Sequence, residues 1–599
     1  MNKNQKMGKG YFALVALGLL YLTACQTPSA PSGSTVKDVM DAVVTRLYES
    51  LTPAQLDTIS QAYLLATLTA EEKKVLATRY WTFEVDQPVT VSLMRHVDQK
   101  VVPFWLPESG FQKTDMVVRN EEYTYEVWQK NFEKGSVKLG INGFDKHRPV
   151  YFITVGPQST SGGAVKISGI FPENQHLDTM RLGAFTYHDW DELVLTEVPE
   201  PLVGHTLFTT IRGRAREAHV VGAFRETKYP SSARPDQVLL SWSDDPARTV
   251  AVQWRTHPSV ADGEVLYWLE GTSDTLRTSA AVYKMEDRLL RNDRYVHRFT
   301  AQLKNLTPGT TYHYRVGSKQ GEWSETASFK TAAQGTSEPF SFIWFGDTHK
   351  SPVWGAMAQK AFQRHPETAF FSIVGDLVST GLNRDEWDEL FQYSGEVFWS
   401  RPLMPIPGNH DSQDGLGAWM YREQFSLPTN GPEQVPAEMT YAFTYQNALY
   451  LMMDVTQPIA AQTAWMEKQL RDSKAQWKFV MLHFPPYNFV EPYDEIVAEW
   501  GTLFDKYHVD MVMSGHMHYY LRTKPMHAQK AVASPAQGTI YTMSISIEGK
   551  QDTWPAEEYA LVRYPDGPLY QHLRITGNKL EYRCLDPEGN VKDQLTIVK

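Results

Sequence analysis

A chain of 599 residues, 42% hydrophobic and 21% charged, is neither disordered nor fibrous in composition and is long enough for three or four globular domains. Its formal net charge of -11 argues against a general polynucleotide binder, which needs clustered Lys and Arg to neutralise phosphates. No nucleic-acid-binding surface is apparent, and an anionic substrate must be drawn by local positive charge.

Lys3, Lys6 and Lys9 precede the apolar run Tyr11 to Leu22, which is too short to span a bilayer, and Leu22-Thr23-Ala24-Cys25 follows at once. The pattern is that of an export signal over residues 1–24. The box ending at Cys25 resembles that of bacterial lipoproteins, which implies lipidation of Cys25, a membrane partner through acyl chains and an exported location. Gln26 at the next position resembles lipoproteins sent to an outer membrane. Residues 25–35, rich in Pro, Ser and Gly, form the tether. Cys584 is the only other cysteine, so no intrachain disulfide is expected, and it reads as a small buried hydrophobe in a strand.

Residues 36–79 read as helices. Val36, Val39, Met40, Val43, Val44 and Leu47 keep helical spacing, Thr52-Pro53 opens a second helix and Thr69 to Glu72 is a capping box. They are expected to cap a neighbouring domain. Residues 80–227 alternate in strand fashion, as in Val89 to Met94 and Val150 to Val155, and predict a β-sandwich of unknown role; its aromatics Trp105, Trp128, Tyr187 and Trp190 are read as core packing, with a ligand-binding surface as the alternative. After a linker rich in Pro and Ser, residues 234–333 alternate again. Leu303 to Val316, with Pro308-Gly309 and Tyr312, is similar to the turn and tyrosine-bearing strand of a fibronectin type III domain.

From residue 340 to 599 the chain repeats one pattern, an apolar run that stops in polar metal-binding types. Phe342 to Phe345 runs into Gly346-Asp347-Thr348-His349, and Phe370 to Val374 into Gly375-Asp376. Met404 to Pro407 runs into Gly408-Asn409-His410-Asp411, Phe479 to Leu482 into His483, and Val509 to Ser514 into Gly515-His516-Met517-His518. Strand ends of an open α/β sheet converge on one crevice. Met357 to Arg364, Trp387 to Phe398, Ala461 to Arg471 and Ile496 to Tyr507 read as helices between them. Thr539 to Ile545 and the closing strands Gln571 to Ile575, Lys579 to Leu585 and Gln594 to Val598 are expected to complete a second sheet.

These five blocks in this order resemble the calcineurin-like metallophosphoesterases, and the preceding sandwich resembles the layout of purple acid phosphatases. The implied fold is a multidomain α+β chain with a helical cap, two β-sandwich domains and a C-terminal layered αββα core. The resemblance implies that Asp347, His349, Asp376 and His518 hold one transition-metal ion and Asp376, Asn409, His483 and His516 another. Both would be divalent or mixed-valence Zn, Mn or Fe. It implies hydrolysis of a small phosphate ester, a mono- or diester, by a metal-bridging hydroxide. Two divalent ions, two carboxylates and that hydroxide leave a net positive charge to draw phosphate.

His410 would protonate the leaving oxygen or stabilise the transition state, with Asp411 to orient it, and Asn409 and His410 would contact substrate. Tyr487 and Asn383 are weaker candidates for the substrate mouth, with Trp387. Packing explains each as well. Arg522 is read either as a phosphate contact or as a solvated surface residue. Purple acid phosphatases carry Tyr three residues after the bridging Asp and lack the His two after the first Asp. Here those positions hold Ser379 and His349, so neither purple colour nor a preference for ferric iron is expected. A different class of protein, a non-catalytic adhesion or carbohydrate-binding lipoprotein with a vestigial core, is opposed by the complete ligand set.

Overall fold

The computed structural model describes residues 33–599 except 148, 160–162, 174, 187–192, 336–337, 413–416, 490, 492 and 550–556. The export signal, Cys25, Tyr187 and Trp190 lie outside the described residues. No described helix is long and apolar enough to cross a membrane.

Helices Val36–Ser50, Pro53–Leu56, Gln61–Thr67 and Ala70–Thr78 open the described chain. Thr35, Ser60 and Thr69 accept hydrogen bonds from amides of the first turns that follow them, and Asp38 and Glu72 return the bond to the caps. The apolar face of the first helix enters one continuous core with Phe83, Leu93, Ile153 and Phe208 of the strands beyond. Helices and strands up to about residue 221 therefore share a core, built on a three-stranded and a seven-stranded antiparallel sheet. Trp105 sits in a short helix rather than a strand. It is buried, with its indole N–H donating to Ile141 O at 2.8 Å.

Two four-stranded sheets follow, in the orders 236–241, 250–256, 295–303, 281–286 and 275–279, 264–269, 311–317, 327–330. The Tyr312 hydroxyl accepts the Thr307 N–H at 3.0 Å and ties down the expected corner.

The last domain layers a five-stranded sheet on a seven-stranded one, with Phe342 of the first packing against Tyr450 and Phe479 of the second. Strands Phe340–Phe345 and Ala448–Met453 are buried along their whole length, because both faces are covered. Pro352–Arg364 and Arg384–Ser394 flank the first sheet. Ala460–Asp472 and Asp494–Tyr507 cover the second, where Met466, Ile496 and Trp500 join Leu451, Val480 and Val512.

Three expectations change. Met404 to Pro407 is no ladder strand: it touches the sheet through single bridges at Leu403 and Ile406, since Pro405 and Pro407 lack the N–H groups that a ladder needs. The helix read over 387–398 stops at Ser394, where Gly395 takes φ 59°, and resumes as Val397–Ser400. The closing strands divide between the two sheets. Ile540–Met543 joins the strand before His516, whereas 570–576, 579–585 and 591–598 extend the sheet begun by Phe340–Phe345. Cys584 is buried there, as its strand pattern suggests.

A buried ionic network joins the second sandwich to the core. Arg255 donates to Asp388 at 2.7 Å, and Arg384 lies 3.5 Å from the same carboxylate, all three nearly inaccessible. Thr227 and Gln237 donate to Asp388 as well. Asp388→Ala takes one of two carboxylates from each of two buried guanidinium groups, Arg255 keeping Asp236 and Arg384 keeping Asp293, and is expected to cost about 1–3 kcal/mol in denaturant unfolding. Removing the exposed Lys228 from Glu389 with Lys228→Ala is expected to leave the unfolding midpoint close to that of wild type.

Candidate metal centre

The polar residues gather where the parallel strands end. Asp347 follows Phe340–Phe345, Asp376 follows Thr368–Ile373, His483 ends Trp477–Leu482, and His516 and His518 follow Met511–Ser514. Asn409 opens the short helix Asn409–Ser412. The glycines between apolar run and ligand are required by space: a Cβ on Gly375 would strike His483, on Gly408 the Asp376 carboxylate, and on Gly515 that of Asp347. His349, Asp376 and His516 take left-handed backbone at φ 42°, 51° and 71°. Such strain persists only where the surroundings enforce it, and it collects at functional sites.

Among the described residues, Asp347, His349 and His518 form one convergent group, Asp376, His483 and His516 a second, and His410 faces His349 and Asp376 in a third. His483 Nε2 lies 3.3 Å from Asp376 and 3.0 Å from Asn409 Oδ1, and His518 Nε2 lies 3.6 Å from Asp347. Asp347 accepts the His516 N–H at 2.6 Å and Asp376 the His410 N–H at 3.0 Å. Burial works against charge on Asp376, yet His483, His410 and His349 around it hold its carboxyl well below the usual range.

The donor set fits two metal ions. His483 donates Nδ1–H to Val374 O at 2.8 Å, so a neutral ring would turn a lone pair toward two acceptor oxygens, those of Asp376 and Asn409. Such an arrangement needs a cation between them. In the protein alone the second imidazole proton fills that role: burial opposes it, but Asp376 prevails and raises the His483 pKa to about 9. Asp347 Oδ2 and His349 Nδ1 are also buried without hydrogen-bond partners. Carboxylate, imidazole and amide donors suit Zn, Mn or Fe.

His410 stands beside this set with Nδ1 bonded to Ser379 O at 2.8 Å and Nε2 3.9 Å from Asp376. Asp411, expected to orient it, does not. Its carboxylate accepts from the amides of Leu377, Val378 and Gly408 and so fixes the loops that carry Asp376 and Asn409. Arg522 is neither a phosphate contact nor solvated: it forms a buried two-point ion pair with Asp593 at 2.5 and 2.9 Å. Tyr487 packs on Tyr541 and Tyr559, and the Trp387 indole N–H is held by Gly381 O. Asn383 bonds Glu386 at the start of a helix.

Two residues at the site carry no motif. Glu491 and Tyr493, on the loop after His483, meet His516 Nε2 at 3.2 and 2.7 Å. These contacts fix the orientation of the His516 ring, as second partners commonly do for histidine ligands. Only the eight-residue spacing from His483 could have suggested Glu491, and a loop of Pro and Asn sets no distance. Glu491→Gln is expected to weaken binding of one of two zinc ions by about 10–100-fold in a chelator competition titration, while Tyr487→Phe leaves both unchanged.

Family models for the purple acid phosphatase N-terminal domain and for calcineurin-like phosphoesterases match residues 235–331 and 340–520. The chain is 25% identical over 358 residues to an uncharacterized protein of Mycobacterium tuberculosis, spanning 52% of this chain and 65% of that one, less than two thirds of its length. It is 26% identical over 335 residues to acid phosphatase type 7 of Mus musculus, across 50% of this chain and 73% of the relative. Its fold is similar to that of a purple acid phosphatase from yellow lupin (Lupinus luteus) seeds, with a TM-score of 0.54 and 14% identity, covering 88% of this chain and 94% of that one. Matched domains, similar fold and convergent polar residues agree: residues 340–520 are similar to calcineurin-like phosphoesterases and residues 235–331 to the purple acid phosphatase N-terminal domain.

Proposed function

We propose that the protein hydrolyses phosphate esters at a binuclear metal centre, outside the cytoplasm and anchored to a membrane through lipid on Cys25. The observation that carries the reaction is the meeting of Asp347, Asp376 and four ligand-type imidazoles with His410 Nε2 in one crevice. Asp347, His349, Asp376 and His518 would hold one ion, and Asp376, Asn409, His483 and His516 the other. The export pattern before Cys25 supports the location.

The metal pair, when bound, supplies charge to draw and polarise a phosphoryl group and to make water nucleophilic near neutral pH. The protein's own part is positioning and one proton. His410 donates Nδ1–H to Ser379 O, which leaves Nε2 as the atom that gives a proton to the leaving oxygen as its bond to phosphorus breaks. Asp376, 3.9 Å away, stabilises the charged ring before transfer. Asp411 acts one step back, holding the backbone of both flanking loops in place.

The test pairs metal content with hydrolysis of an aryl phosphomonoester and an aryl phosphodiester. Two metals and a rate lost in Asp376→Asn are the expected result, and the faster ester gives the class. His410→Ala is expected to keep both metals and lose about 10²–10⁴-fold in kcat; unchanged turnover would remove the acid role. Since Ser379 stands where a tyrosinate ligand would, the iron-loaded protein is expected to show no purple charge-transfer band in its visible spectrum.

A further inference from the structure

Among the described residues a further group of metal-binding types stands apart from the crevice. His365, Glu367 and His572 each bring one nitrogen or carboxylate oxygen to within 4.8 Å of the other two. His365 follows the carboxyl end of the helix Pro352–Arg364, Glu367 lies in the turn before the strand Thr368–Ile373, and His572 stands on the strand Tyr570–Thr576. The strand Thr368–Ile373 runs between Glu367 and Asp376, and its six extended residues span about 20 Å. That is too far for one ion to serve both places.

His572 Nε2 lies 3.5 Å from Glu367 Oε1, and His365 Nδ1 lies 3.9 Å from the same oxygen. Neighbouring ligand atoms of a tetrahedral zinc site with bonds of about 2.0–2.2 Å are about 3.3–3.6 Å apart, so the cluster is close to the spacing required. The His572 side chain is 8% exposed, and its Nε2 is buried without a hydrogen-bond partner. Native proteins leave few such atoms unsatisfied. Burial, with His365, Arg583 and Arg574 near it, pushes the His572 pKa down to about 3, and burial lowers that of His365 against the pull of Glu367. Both rings are therefore neutral near pH 7 and keep a lone pair. His365 Nε2 meets the Tyr570 hydroxyl at 3.3 Å, the kind of second partner that orients a histidine ligand. With the proton on Nε2, Nδ1 is the nitrogen left for a cation. The carboxyl end of a helix favours positive charge, and Glu367 adds a full negative one. These offset Arg364, which donates to Tyr570 at 2.9 Å, and the exposed Arg574 and Arg583.

We propose that His365, Glu367 and His572 form a separate metal site for a single divalent ion of the zinc class, which ties the helix end and the strand Tyr570–Thr576 to the turn before Thr368–Ile373. The proposal does not rest on the phosphoesterase reading above. Two imidazoles and one carboxylate, with water in the fourth position, are a donor set of zinc. The rings stack with centroids 4.1 Å apart and planes 13° from parallel, so one turns for both lone pairs to meet the ion. His365 is that ring, because it lies at a helix end against a hydroxyl that can rotate, whereas His572 is held in a ladder strand.

The test saturates the full chain, Glu367→Ala and His572→Gln with zinc, desalts them and measures zinc per chain by elemental mass spectrometry. Each variant is expected to hold one ion fewer than wild type. Zinc content equal in wild type and Glu367→Ala overturns the proposal, and Glu367, which is 45% exposed, can be removed without opening the core should His572→Gln fail to fold. The same comparison is made with Asp376→Asn in both proteins. The one-ion difference is expected to persist there, and its disappearance overturns the proposal by assigning the lost ion to the crevice. Failure of the phosphoesterase reading is distinct, since it appears as absent hydrolysis of aryl phosphates by wild type while the zinc difference still decides this site.

Discussion

Two buried carboxylates, Asp347 and Asp376, set the terms for everything around them. Both are inaccessible to water, and like charges in one dry site are tolerated only beside compensating cations and donors. The domain supplies these at each strand end, as the His516 N–H on Asp347, the His410 N–H on Asp376 and imidazoles between them. Left-handed backbone at Asp376, His349 and His516, and the glycines without which ligands would be struck, follow from the same crowding. A pair of metal ions satisfies this charge more fully than protons can. The site is thus a cation cradle before it is a catalyst.

The second constraint runs from the domain interface to His410. Asp388, with Arg255 and Arg384, pins the helix Arg384–Ser394 against the second sandwich. Glu386 on that helix accepts the amides of Ser379 and Thr380, and Ser379 O in turn accepts from His410. Three links connect a buried ion network between domains to the tautomer of one imidazole. A sandwich in front of the core therefore helps to hold the proposed acid, because the links through Glu386 and Ser379 are hydrogen bonds of 2.8 to 3.0 Å that are at least partly buried.

What could be read from residues alone follows from locality. Gly-Asp and Gly-His-Met-His mark strand ends because the strand before each is apolar on both faces, so their convergence follows from parallel topology, whereas Gly-Asn-His follows a run held by single bridges. Long-range partners left no such mark. Asp411 lies beside His410 in sequence, yet its carboxylate turns to the amides of Leu377 and Val378, since adjacent residues of a helical turn do not face each other. Arg522 finds Asp593 on the last strand, a partner that helical or strand period cannot predict. Glu491 sits on a loop whose path is set by packing of Phe484 against Tyr493. In the N-terminal unit, the periodicity of Val36 to Leu47 showed a buried face but not that strands 81–85 and 89–96 would cover it.

Replacement of a tyrosinate position by Ser379 and the gain of His349 change more than colour. A tyrosinate brings a negative charge to the ions it binds, whereas imidazole binds neutral, so with the same pair of divalent ions the crevice is one charge more positive. On the proposed function, in a chain of net charge -11, that local excess would draw an anionic ester, and low dielectric walls would focus it. The serine position is also put to use. Among the described residues the Ser379 hydroxyl makes no hydrogen bond to the site; its backbone carbonyl holds His410 and its N–H is held by Glu386. That stretch serves as a backbone support for the proposed acid, and His349, a ligand of the proposed centre on left-handed backbone, has its ring centroid 4.8 Å from that of His410. On the proposed function, metal binding and proton donation fall on neighbouring imidazoles, His349 and His410.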